Sequence, residues 1–151
     1  MNQNHFDKLQ QINLLTSEID GLYHRLSLKL GLNDSESRVL YALYTNGNSC
    51  LLNKIYTDAG ISKQTVNSSL RKLEKEKMVH LEPYHGKAKK VFLTEQGIEK
   101  ANQTVSKIVK AEIDAFANWD EEEIEVYIKF TKKYVETFGI EVKKIEQELM
   151  E

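Results

Sequence analysis

The chain has 151 residues, 40% apolar and 29% charged, with one proline and seven glycines, which favours one compact domain or a domain with helical appendages and excludes wholesale disorder and collagen-like or proline-rich sequence. No window approaches the ~18 apolar residues of a membrane span, the N-terminus MNQNHFDKLQQ is too polar for a signal peptide, and the lone Cys50 cannot form an internal disulfide, so a soluble cytoplasmic protein is expected. The net charge of −2 is uneven: residues 61–90 hold eight basic and three acidic side chains, whereas residues 111–151 hold five basic and twelve acidic ones, the pattern of one anion-facing surface on a scaffold that repels anions elsewhere.

Apolar residues at Leu9, Ile12, Leu15, Ile19, Leu22, Leu26 and Leu30 recur every three or four positions, which predicts a first amphipathic helix stopped by Gly31. Asn33 or Asp34 can cap a second helix with Val39, Leu40, Leu43 and Tyr44 on its inner face, ended by Asn46-Gly47-Asn48. A short third helix is expected over about Leu51–Asp58, burying Leu52 and Ile55 and closed by Gly60. Ser62 is a good N-cap for a fourth, with Val66, Leu70 and Leu73 as its inner stripe. The period then changes from 3.6 to 2. Val79-His80-Leu81-Glu82 alternates up to Pro83 and Val91-Phe92-Leu93 is strand-like, so a β-hairpin is expected with residues 84–90 as a basic loop. Thr94 caps a fifth helix with Ile98, Ala101, Val105, Ile108 and Phe116 on one side. Asp120 with Glu123 forms a capping box for a sixth that runs to the C-terminus, its stripe being Ile124, Tyr127, Thr131, Tyr134, Phe138, Val142, Ile145 and Leu149. Long amphipathic end helices usually bury such stripes against something; a second copy of the chain is the economical partner, and folding back on the chain's own domain is the alternative.

Two helices joined by Asp58-Ala59-Gly60-Ile61 fit a helix-turn-helix. The second one must present small and polar residues to enter a major groove about 12 Å wide. Ser62, Lys63, Gln64, Thr65, Asn67, Ser68, Arg71 and Lys72 supply them. Gln64 and Asn67 can pair with adenine through two hydrogen bonds, Arg71 with guanine or a phosphate, and the N–H groups at the helix start suit a phosphate oxygen. An ordinary polar surface helix would not explain the absence of acids from Ile61 to Leu73, nor why a hairpin carrying Lys87, Lys89 and Lys90 follows directly. The two features together make a winged helix-turn-helix.

The stretches LGLNDSESRVLYAL, ISKQTVNSSLRKLEKEKMV and GKAKKVFLTEQG resemble the MarR family of dimeric transcriptional regulators, and WDEEEIEVYIKF resembles the start of that family's last helix. The resemblance implies a mainly α fold with a small β-hairpin wing. Residues 32–97 would form the winged helix-turn-helix DNA-binding domain, and residues 1–31 and 98–151 the helical dimerisation region. It implies that the fourth helix reads the major groove while the wing enters the adjacent minor groove, and that two copies bind a pseudo-palindromic site with half-sites about one helical turn apart. Two departures stand out. Where the family carries an aspartate and then an arginine in the wing, this chain has His85 and Lys87; lysine is a point charge without a planar fork, which implies a looser contact. Where the family often has glycine stands Lys77; either the lysine holds a positive φ or the fourth helix ends differently.

Catalysis is not expected, since no G-x-S-x-G, Walker or Rossmann pattern is present, and no cofactor or metal is expected either. The four histidines lack ligand spacing; Asp20 and His24 stand at i, i+4, where a surface hydrogen bond is the simpler reading. Cys50 precedes a helix and so invites a cysteine-based redox sensor as an alternative, beside a plain buried thiol. The resemblance also implies a small anionic aromatic effector. Tyr23, Arg25, Arg38, Tyr41 and Tyr44 are candidates, because a cation with aromatic rings suits such a ligand; the alternative is that Tyr41 and Tyr44 are core or interface residues and the arginines pair with surface acids. The function expected is therefore a homodimeric, sequence-specific regulator of double-stranded DNA, a repressor modulated by a small ligand. A winged-helix protein-interaction adaptor is the rival reading.

Overall fold

The structure, a computed structural model, describes residues 3–150. The elements follow in the order α1 (Gln3–Lys29), α2 (Asp34–Thr45), β1 (Ser49–Leu51), α3 (Leu52–Ala59), α4 (Lys63–Lys75), β2 (Val79–Pro83), β3 (Lys89–Leu93), α5 (Glu95–Gln103), α6 (Val105–Phe116) and α7 (Glu121–Glu148). The fold is mainly helical with a small antiparallel sheet, as expected. The chain divides into two compact units, Met1–Lys110 and Ala111–Glu151.

Local chemistry sets the helix boundaries of the first unit. Asn33 opens α2 with a reciprocal capping box: its side chain accepts from the Glu36 amide (2.9 Å), and the Glu36 carboxylate accepts from the Asn33 amide (3.2 Å). Ser62 accepts from Thr65 at the start of α4, and Thr94 accepts from Gly97 at the start of α5. Gly60 closes α3 at φ 61°, a left-handed turn that glycine adopts without a Cβ penalty. Lysine does the same work after α4. Lys77 sits at φ 59°, its amide bonds to Glu74 and the Met78 amide to Leu73, which is a Schellman closure with a lysine at the left-handed position. The fourth helix therefore ends where a glycine would have ended it, and Lys77 carries the strain.

The stripes read from the sequence converge on one core. Val39, Leu40 and Leu43 of α2 are fully covered, as are Ile55 of α3 and Val66 of α4; Val91 of β3 and Val105 of α6 join them. Leu26 and Leu30 pack the C-terminal end of α1 against this core, and the Ser27 hydroxyl there donates to Ser37 of α2 (2.9 Å). The rest of the α1 stripe is exposed, Leu15 by 52% and Leu22 by 58%. Gly97 is the tightest point: a Cβ there would lie 1.9 Å from the Met78 carbonyl oxygen, so α5 can approach the end of the fourth helix only with glycine at that position.

The structure corrects the expected hairpin and fifth helix. The sheet has three strands in the order β1-β3-β2, with Cys50 opposite Val91 and Leu81 opposite Val91 from the other side. β1 is only three residues long and its pairing partner lies some forty residues away, so no local alternation announces it. Lys89 and Lys90 belong to β3 rather than to the loop, with Lys89 opposite Pro83. The expected fifth helix breaks at Thr104 into α5 and α6. The Thr104 side chain is buried and its hydroxyl donates to the Lys100 carbonyl (2.7 Å), competing with the backbone ladder at that point.

In the second unit Asp120 and Glu123 form the expected capping box at the start of α7. No residue of α7 is buried. Phe116, Trp119 and Tyr127 meet edge-on or tilted with centroids 5.2–6.3 Å apart, and Tyr134 stacks on Phe138 at 5.6 Å. These rings remain open to solvent, Tyr134 by 49% and Phe138 by 55%.

Candidate nucleic-acid interface

The N-cap at Ser62 leaves the first turns of α4 pointing outward. Ser62, Lys63, Gln64, Thr65, Ser68 and Arg71 are all exposed, while Val66, Leu70 and Leu73 anchor the opposite side in the core. The Ser62 hydroxyl shares a hydrogen bond with Thr65 (2.7 Å), so two small polar groups form one rigid corner at the helix start. Asn67 is half-buried, and its side-chain oxygen accepts from the Tyr56 hydroxyl of α3 (2.7 Å). Lys63 lies over the same Tyr56 ring, 5.4 Å from its centroid. Tyr56 thus fixes two of the candidate contact residues from the neighbouring helix. Sequence reasoning missed it, because the pairing crosses from one helix of the motif to the other and no spacing within either helix signals it.

The hairpin stands beside α4. Its tip is closed by hydrogen bonds from Tyr84 to Ala88 and from Ala88 to His85, with Gly86 at φ 58°. An open groove of about 650 Å³ runs between the two elements, lined by Asn67, Arg71 and Glu74 from α4, Lys87 and Lys89 from the hairpin, and Tyr56 from α3. Strand alternation separates Lys89 from Lys90 on β3, and Lys87 precedes them in the turn. Lys87 and Lys89 face this groove, whereas Lys90 extends over the Phe92 ring (5.1 Å) on the other face of β3, where Phe92 also stacks on His80.

Lys72 is exposed but engaged. Its ammonium pairs with Glu36 of α2, whose carboxylate is only 6% exposed, and this hydrogen bond and charge raise the Lys72 pKa above its ordinary value. One turn earlier, the buried Ser69 hydroxyl donates to Ser35 (2.8 Å). Neither contact was legible in the sequence, which offered only Asn33 or Asp34 as the cap of α2.

The candidate effector residues are dispersed in role. Arg38 donates to the Ala59 carbonyl (3.1 Å) and so satisfies the C-terminal end of α3. Tyr41 and Tyr44 are half-buried against the core, while Tyr23 and Arg25 are exposed on α1. His24 bonds with Asp34 of α2 (2.9 Å) rather than along its own helix to Asp20. Cys50 is buried at the sheet; burial first, and then the Asp58 charge, push its thiol above the ordinary cysteine value. That is the opposite of the activation a redox-sensing thiolate needs. No helix among the described residues is long and apolar enough to cross a membrane.

The geometry agrees with known proteins. Residues 30–88 match the sequence profile of the MarR family. No curated protein matches the chain in sequence. Among solved structures, a MarR family regulator from Neisseria meningitidis superposes with a TM-score of 0.80 at 20% identity, over 95% of this chain and 99% of that one. The S. aureus MepR–DNA complex gives 0.67 at 19% identity, over 85% and 94%. BpsR of Bordetella bronchiseptica, whose DNA binding is regulated by 6-hydroxynicotinic acid, gives 0.61 at 18% identity, over 82% and 97%. Residues 30–88 are accordingly a MarR-family winged helix-turn-helix domain, within a chain whose fold is that of MarR-family regulators.

Proposed function

We propose that this chain is a sequence-specific regulator of transcription that binds double-stranded DNA as a cytoplasmic homodimer, acting as a repressor. The observation that carries the reading is the pairing of an acid-free, outward-facing start of α4 with a hairpin that turns Lys87 and Lys89 toward the same groove. Ser62 and Lys63 would hold a phosphate at the helix start. Gln64, Thr65, Asn67, Ser68 and Arg71 would read base edges. Because Tyr56 occupies the Asn67 oxygen, Gln64 is the freer of the two amides for bidentate contact with adenine. Lys87 and Lys89 would neutralise phosphates from the wing, with Lys90 peripheral to them. The exposed stripes of α1 and of α7 support a second copy as the partner that covers them, which would place two recognition helices on one pseudo-palindromic site.

A small anionic aromatic compound is the class of effector in this reading, with Tyr23, Arg25, Arg38, Tyr41 and Tyr44 as candidate contacts. It would act by preferring a spacing of the two recognition helices that mismatches the operator. Selection of preferred duplexes from a random pool tests the whole proposal. A recovered consensus with two-fold symmetry is expected, and a pool that stays random defeats it. On the selected duplex, Arg71→Ala should cost about 1–3 kcal/mol at fixed salt, and Lys87→Ala should flatten the plot of log affinity against log salt by about 0.9.

A further inference from the structure

We propose that Glu36 is a positioning residue for DNA binding: it holds the Lys72 ammonium on α2, so that this lysine of the recognition helix braces α4 and does not neutralise a phosphate. The inference rests on the DNA-binding reading and refines its electrostatics. Its ground is an asymmetry of burial. The Glu36 carboxylate is 94% covered while Lys72 is half exposed. A lysine at the surface can exchange partners at little cost, but a buried carboxylate stripped of its counter-charge cannot recruit water instead. One carboxylate oxygen is already committed to the Asn33 amide in the capping box, and Lys72 is the charged partner of the other. Drawing Lys72 toward a phosphate would therefore leave a buried anion supported by a backbone donor and the start of a helix alone.

The neighbouring contact points the same way. Ser35 and Ser69, each one residue or one turn from the ion pair, form a hydrogen bond between the same two helices. Side chains of the first turn of α2 thus grip α4 at two adjacent places, on the flank of α4 away from the groove that Arg71, Lys87 and Lys89 line; Lys72 is not among that groove's walls. The two basic neighbours Arg71 and Lys72 consequently have different duties, one toward the groove and one toward the protein.

The salt dependence of binding separates these duties, because each lysine that neutralises a phosphate contributes about 0.9 to the slope of log affinity against log salt. With a selected duplex, K72Q should keep the wild-type slope. E36Q, which retains the capping hydrogen bond but removes the charge, should steepen it by about 0.9 as Lys72 is released. The double variant E36Q/K72Q, which leaves no buried charge unpaired, should return to the wild-type slope. A slope flattened by about 0.9 in K72Q or in the double variant overturns the inference. In the free protein, the Lys72 ammonium should titrate at higher pH in wild type than in E36Q, read by side-chain NMR, and equal titration likewise overturns it. Failure of the wild-type chain to prefer any duplex would defeat the DNA-binding reading, a result distinct from a changed slope in a variant that does bind.

Discussion

Helices α4 and α7 carry the same kind of message and meet different fates. Each has an apolar stripe at helical spacing and a defined cap, Ser62 in one and Asp120 in the other. The stripe of α4 is sealed among α2, α3 and the sheet, with Val66 fully covered. The stripe of α7 has no buried residue, and its Tyr127, Tyr134 and Phe138 stay half open. An amphipathic period therefore states that a face must be buried, but not by what. In the winged region the chain supplies its own cover for α4. In α7 the exposed rings are what the proposed second copy would bury.

The covered region is the more sensitive to substitution. Leu40→Ala empties a fully buried site and should cost about 2–5 kcal/mol in denaturant unfolding, with the loss independent of protein concentration. Gly97→Ala forces a Cβ onto the Met78 carbonyl and should cost about 1–3 kcal/mol by the same measurement. On α7 the test differs in kind. Phe138→Ser should lower the melting temperature chiefly through weaker self-association, so sedimentation should show more monomer and Tm should depend more steeply on concentration; an unchanged association state would mean that this ring is not part of the dimer contact. Lys77→Gly relieves the left-handed lysine and should stabilise the winged region by about 0.5–1 kcal/mol, part of the relief being offset by the greater freedom of glycine in the unfolded chain.

The smallest effect concerns pH. The hydrogen bond from Lys54, aided by Asn46, holds the Asp58 carboxyl below its ordinary value. A carboxylate whose folded pKa lies below its unfolded one contributes stability above about pH 4, and loses it as pH falls through the folded value. Wild type should therefore lose slightly more stability than Asp58→Asn on acidification below about pH 4, read as the shift in urea midpoint.

Much of the candidate DNA-contact surface was legible because it is local. Ser62 as a cap, Val66, Leu70 and Leu73 as the inner stripe, and the polar side chains between them all follow from positions within one helix. The open alternative at Lys77 was also local, and the backbone resolves it in favour of a positive φ. What escaped lies across elements. Tyr56 holding Asn67, the third strand at Cys50, and Glu36 holding Lys72 each join residues eleven to forty-one positions apart. Thr104 escaped for another reason: its apolar neighbours continue a helical period straight through the break, where the Thr104 amide turns to the Ala101 carbonyl.

The amino-acid order alone determined where helices start and stop, which faces they must hide, and that a polar helix is followed by a basic hairpin, because capping, turns and amphipathic periods act over three or four residues. Only the tertiary structure decided which hidden faces meet, which lysines share a groove with α4, and which one is spent on a buried carboxylate. Those outcomes depend on the distance and burial of partners far apart in the chain, and burial is what turns an ordinary pair of surface charges into a fixed contact.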